Sequence, residues 1–208
     1  MKLPSFVIAG AFSALLVAGC SSNAANSAHD AAAETADSHA AEHILVSATT
    51  ELKPRSGTDV HGTVTFTETG IKVGDTIREH QIVVAYDIQG LPPGAARGFH
   101  IHEYGDCSAP DASSAGGHFN PSGHDHGGPH DEHKHAGDLG NVTANEQGRA
   151  VGTLNVHPST FTVAGNETNN IIGKSVIVHV AQDDYVSQPT GDAGPRAACG
   201  IIQLMGVD

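Results

Sequence analysis

Short runs in which apolar and polar residues alternate recur from residue 44 onward, separated by Gly, Pro and Asn. Seven stretches fit a period of two: ILVSATTEL (44–52), HGTVTFTE (61–68), QIVVAYDIQ (81–89), GFHIHE (98–103), GNVTANEQGRAVGTLNV (140–156), KSVIVHVA (174–181) and ACGIIQL (198–204). Alternation bounded by turn formers marks half-buried strands, and no segment after residue 43 sustains a helical period. Tryptophan is absent and large aromatics are few, so the core is built from Val, Ile and Leu, which suit a pleated surface. The pattern predicts one all-β domain over residues 44–208, an antiparallel sandwich or barrel with two long loops, Gly105–Asp138 and Ala181–Ala197. Loops of that length inside a compact domain are usually functional.

The first residues, MKLPSFVIAGAFSALLVAGC, break the alternation. The apolar run Phe6–Val17 is too short to span a bilayer, and its order of charge, apolar core and small residues is that of a secretory signal over residues 1–19. The segment VAGC resembles the lipobox of bacterial lipoproteins, in which the cysteine becomes a lipid-bearing N-terminus. That resemblance makes Cys20 the anchor and predicts an exported protein of the cell envelope or periplasm, held to a membrane by lipid. Residues 20–43 are rich in Ala, Ser and Asn with almost no large apolar residue, and are expected to be a flexible tether.

Three cysteines less Cys20 leave Cys107 and Cys199, and in an oxidising compartment such a pair is most simply a disulfide; two free thiols serving as metal ligands are the alternative. The formal net charge of −13, with no basic run, argues against nucleic acid as a partner and poses a problem for any anionic substrate.

Histidine carries the candidate chemistry. His100 and His102 stand two apart on an expected strand, so both project from one face while Ile101 projects from the other, with Cβ atoms roughly 7 Å apart. His179 lies on another strand, and the stretch from Gly116 to Asp138 holds six more: His118, His124, His126, His130, His133 and His135. Imidazole suits copper and zinc, and three imidazoles with one carboxylate make a closed tetrahedral zinc site. The residues alone do not say which histidines share which ion.

GFHIHEYGDCS, AGGHFNP, HGGP, HAGDLGN, SVIVH and GPRAACGII, taken in order, resemble the segments that mark the copper/zinc superoxide dismutases. The resemblance covers about Glu51 to Leu204. It implies an eight-stranded antiparallel Greek-key barrel, one copper and one zinc per subunit, and superoxide as substrate. His100, His102, His118 and His179 match the copper ligands; His118, His126, His135 and Asp138 match the zinc ligands, with His118 bridging. Asp183 matches the aspartate that links a ligand of each metal, Arg196 the arginine that positions superoxide, and Cys107 and Cys199 the intrasubunit disulfide. A homodimer is a further possibility within the family.

Two departures stand out. The loop from Ala181 to Arg196 carries Asp183, Asp184 and Asp192 but no lysine, which leaves Arg196 as the residue assigned to drawing in the anion, with Lys134 and Lys174 elsewhere in the chain. His124, His130 and His133 match no ligand, nor do His29, His39 and His43; solvated polar residues are one reading and metal capture the other. A non-catalytic metal-binding lipoprotein on the same scaffold is the competing function, and it would need neither a complete set of four copper donors nor Arg196.

Overall fold

The computed structural model describes residues 41–165 and 168–206. The signal segment, Cys20, and the tether through residue 40 with His29 and His39 lie outside them.

Among the described residues nine strands follow in chain order: β1 (Glu42–Pro54), β2 (His61–Val73), β3 (Thr76–Gln89), β4 (Ala96–His102), β5 (Asp138–Thr143), β6 (Ala150–Val156), β7 (Ser175–His179), β8 (Arg196–Ile201) and the two-residue β9 (Gln203–Leu204). The first eight form one antiparallel sheet in the order β5-β4-β7-β8-β1-β2-β3-β6, and β9 adds to β1. The sheet curls into a nearly closed barrel, in agreement with the expected all-β Greek-key fold. The open seam lies between β5 and β6, which are joined by residues 144–149. Backbone bonds from Leu91 N to Gly148 O and from Ala144 N to Ala95 O tie that connection to the β3–β4 turn.

Three details differ from the expected elements. β1 begins at Glu42, inside the stretch expected as tether, and places His43 on an exposed strand end. β2 and β3 run on into a hairpin through Gly74 and Asp75 because their outer ends pair out to Val73 and Thr76, where apolar alternation has already faded. The run 140–156 is two strands rather than one, since Asn145, Gln147, Gly148 and Arg149 form a tight turn closed by the Asn145 side chain.

Inside the barrel, Phe66 meets Phe161 edge to face at 6.1 Å and Tyr86 meets Phe99 at 5.8 Å, among Val64, Ile82, Val84, Ile101, Val142 and Val178. One inward position of β2 is not apolar. Glu68, 2% exposed, accepts hydrogen bonds from the Val163 and Ala164 amides at 2.6 and 2.9 Å and contacts His80 Nε2 at 2.6 Å. A buried carboxylate needs such partners. It fastens the long β6–β7 connection, residues 157–174, to the barrel.

Candidate metal centre

Strand register brings the donors together before any loop is considered. On β4, Phe99 and Ile101 enter the core, so His100 and His102 face outward. Across the sheet His100 pairs with Asp138 of β5, His102 bridges to His118, and His179 of β7 pairs with Arg196 of β8. The ladder slips between Gly98 and His100 and again between Val178 and His179, irregularities of the kind that re-aim side chains.

Two quartets result. The ligand atoms of His100, His102, His118 and His179 all lie within 4.8 Å of one another, as do those of His118, His126, His135 and Asp138, and all seven residues are buried. Around Asp138 Oδ1 stand His118 Nδ1 at 2.8 Å, His126 Nδ1 at 3.0 Å and His135 Nδ1 at 3.3 Å. In the first quartet His100 Nδ1, His102 Nε2, His118 Nε2 and His179 Nε2 are buried with no hydrogen-bond partner. Four orphaned nitrogens aimed at one point fit a metal ion, because burying that many unpaired acceptors is otherwise strongly unfavourable.

The opposite ring nitrogens are held. His100 Nε2 donates to Asp183 Oδ2 at 2.7 Å, His102 Nδ1 to Gly116 O at 3.0 Å and His179 Nδ1 to Gly194 O at 2.9 Å. Asp183 Oδ1 accepts from His126 Nε2 at 3.0 Å, so one carboxylate joins a ring of each quartet. Such bonds fix the tautomer and leave the lone pair facing inward. Asp183 is itself clamped by Asn141, whose Oδ1 accepts from Asp183 N and whose Nδ2 donates to Asp183 O, both at 2.9 Å. Gln188 grips the His126 backbone in the same way, at 2.8 and 2.9 Å. Gly191, at φ +66°, passes so close that an added Cβ would meet the Asp183 carboxylate and sit 2.6 Å from His126 Nε2.

Burial sets the electrostatics of the rings. It holds His102 well below its ordinary pKa and takes His118 to about 4 and His179 to about 3, with neighbouring imidazoles adding to the shift. For His126 burial is opposed and overcome by Asp138 and Asp183, which lift it to about 9. Burial also opposes ionisation of Asp138 and Asp183. The surrounding imidazoles prevail and hold both well below the usual carboxylate range.

Arg196 stands beside the first quartet, half-buried, its guanidinium donating to Ala112 O and Gly116 O. Gly116 O therefore serves Arg196 and His102 together. Cys107 and Cys199 form a disulfide with Cα atoms 5.8 Å apart, three residues from Arg196, and Arg55 donates twice to Cys107 O, at 3.1 and 2.7 Å. Lys174 lies over the Phe119 ring at 4.2 Å, and Lys134 is half-buried against the His135 and Asp138 carbonyls. Of the surplus histidines, His124, His130 and His133 remain exposed outside both quartets. Asn141, Gln188 and the carbonyls of Gly116 and Gly194 went unassigned in the sequence. A backbone carbonyl leaves no residue-type signal, and Asn141 sat unmarked inside HAGDLGN.

An antiparallel barrel that carries an imidazole-rich two-ion centre on its outer face defines the class. The family model for copper/zinc superoxide dismutase matches residues 60–202. Three curated relatives, each named a copper/zinc superoxide dismutase, are fungal. The one from Yarrowia lipolytica is 42% identical over 156 residues, 72% of this chain and 94% of its own. Those from Saccharomyces cerevisiae and Candida glabrata are 42% and 45% identical over 140 and 127 residues, covering 64% and 58% of this chain and 88% and 79% of theirs. The chain belongs to the copper/zinc superoxide dismutase family.

Proposed function

We propose that His100, His102, His118 and His179 hold copper, that His118, His126, His135 and Asp138 hold zinc, and that the chain converts two superoxide ions and two protons into dioxygen and hydrogen peroxide. The observation that carries this reading is the convergence of four buried, unpartnered imidazole nitrogens beside the Arg196 guanidinium. Four nitrogens suit Cu(II), and three nitrogens with one carboxylate oxygen suit Zn(II). When bound, copper supplies the one-electron couple that takes an electron from one superoxide and returns it to the next, while zinc supplies a fixed charge without redox chemistry.

The chain's own residues do the rest. Arg196 is always charged and planar, and with two backbone carbonyls holding its inner edge it presents its remaining donors to a small anion. Asp183 keeps His100 and His126 in register, so the two quartets share one orienting carboxylate. The disulfide and Arg55 pin the start of the 103–137 loop to β8, which holds Gly116 O beneath both Arg196 and His102. A complete copper quartet with an adjacent arginine favours the enzyme over a storage lipoprotein. Superoxide decay measured on protein reconstituted with copper and zinc tests the reading: activity is expected, with loss in His179→Gln. Arg196→Lys should lower kcat/KM by roughly tenfold or more, the worth of a charged hydrogen bond. An inactive reconstituted parent would overturn it.

The same reading extends to the N-terminus. Residues 1–19 are an export signal, Cys20 carries lipid, and the segment to about residue 41 tethers the barrel to an envelope membrane, where it removes superoxide generated outside the cytoplasm. The pairing of Cys107 with Cys199, which leaves Cys20 as the odd thiol, supports this, as does VAGC after the apolar run. A Cys20→Ala protein should leave the membrane fraction and lose its lipid mass; retention of both would refute the anchor.

A further inference from the structure

Three exposed histidines of the loop between β4 and β5 belong to neither quartet, and they are not alike. His130 borders a cleft with Glu132, Thr153 and His157. His124 and His133 face each other, ring centroids 5.0 Å apart and planes at 72°. Within the second quartet the ring pairs stand at 5.4, 5.4 and 5.6 Å, so the exposed rings are as close as those of that quartet.

The pairing is built by the backbone rather than left to side-chain chance. Asn120 clamps His124, donating to its carbonyl at 2.8 Å and accepting from its amide at 3.2 Å. Residues 128–131 make a turn closed by Asp131, whose Oδ2 accepts from Gly128 N at 2.7 Å. That turn folds residue 133 back onto residue 127, where the backbones pass closely: a Cβ there would sit 3.1 Å from His133 O and 3.3 Å from Lys134 Cβ. Each of the two rings stands two residues from a donor of the inner quartet, His126 and His135.

We propose that His124 and His133 form a third metal site, an exposed two-imidazole chelate for a first-row divalent cation, with water completing the coordination. Two neutral imidazoles favour Cu2+ over Zn2+ by the usual order of affinities. The chain's charge of −13 favours cation approach. The site is weaker and faster to exchange than the closed quartets, and it places a captured ion on the loop that carries the zinc donors. The proposal stands on the geometry of the pair and does not depend on the dismutase reading.

Zn2+ alone is the probe, added to full-length protein whose two quartets are already filled with copper, kept reduced, and zinc. Equilibrium dialysis should find additional Zn2+ bound. His124→Gln and His133→Gln should each weaken the tightest additional site by at least ~10-fold, the lower end of what disturbing a metal's coordination costs, while His130→Gln leaves it unchanged. NMR on the unsubstituted protein supplies a second readout: substoichiometric Zn2+ should shift the His124 and His133 ring resonances before that of His130. Equal additional binding by the His124→Gln/His133→Gln protein, or three rings that respond together, would overturn the proposal.

Discussion

The barrel has two halves that obey different rules. On β2 and β6 burial alternates with the pleat, so the inner face meets the core and the outer face meets water. On β7 every residue from Ser175 to His179 is buried, and on β4 every residue from Gly98 to His102. The inner faces of the halves are alike. The outer face of the second half is roofed by the 103–137 and 180–195 loops, and beneath that roof stand imidazoles and carboxylates instead of side chains facing water. Both inner faces thus build one apolar core, and the second half alone uses its outer face to hold polar groups where an isolated strand could not.

The contrast can be broken most severely at His118, the one residue with a nitrogen in each quartet. His118→Ala should abolish activity and lower both copper and zinc content measured by mass spectrometry, with far-UV circular dichroism unchanged. Asp183→Asn leaves every ligand in place but weakens the hold on His100 and His126, and should cost about 10–100-fold in metal affinity or activity. In the other half, Phe66→Ala removes a wholly buried ring packed on Phe161 and should destabilise the protein by about 3–5 kcal/mol in denaturant melts. Activity per folded, metal-loaded molecule should be unchanged.

Acid sharpens the same line. In metal-free protein, His118 and His179 have folded pKa values of about 4 and about 3, below the unfolded value of about 6.5. Their contribution to stability is complete above pH 6.5 and is lost as pH falls toward 4 and then 3. The depressed Asp138 and Asp183 extend the loss to lower pH. His126, raised to about 9, acts in the opposite sense: its contribution is complete below pH 6.5 and is lost as pH rises through 9. Hydrogen exchange on metal-free protein between pH 7 and 4 should therefore show protection falling first in β4, β7 and their loops. The smallest effect belongs to the solvated face. Val151→Thr, at a position 62% exposed on β6, should move stability by no more than about 0.5 kcal/mol and leave metal content untouched.

The first half was legible in the sequence because alternation is a local signal: HGTVTFTE and QIVVAYDIQ carry their inner and outer faces on their surface. Glu68 was not, because a carboxylate at an inward position reads as the end of a strand until the Val163 and Ala164 amides, nearly a hundred residues away, arrive to satisfy it. In the second half, strand periodicity placed His100 and His102 on one face, but grouping the donors depended on resemblance across six segments. The sharing is set by register, His100 opposite Asp138 and His102 opposite His118, which no local pattern encodes. The carbonyls of Gly116 and Gly194 carry no sequence mark at all, since every residue has one.

Gly191 shows how far such constraints reach. It donates to no ligand and touches the centre only by having no side chain, at φ +66° beside Asp183 and His126. In a library of random variants selected for activity, position 191 should be purged of every alternative, alanine included, as thoroughly as the donors themselves. A map of tolerated substitutions would thus outline the centre with a residue that contributes no atom to it, and a screen confined to polar side chains would overlook it.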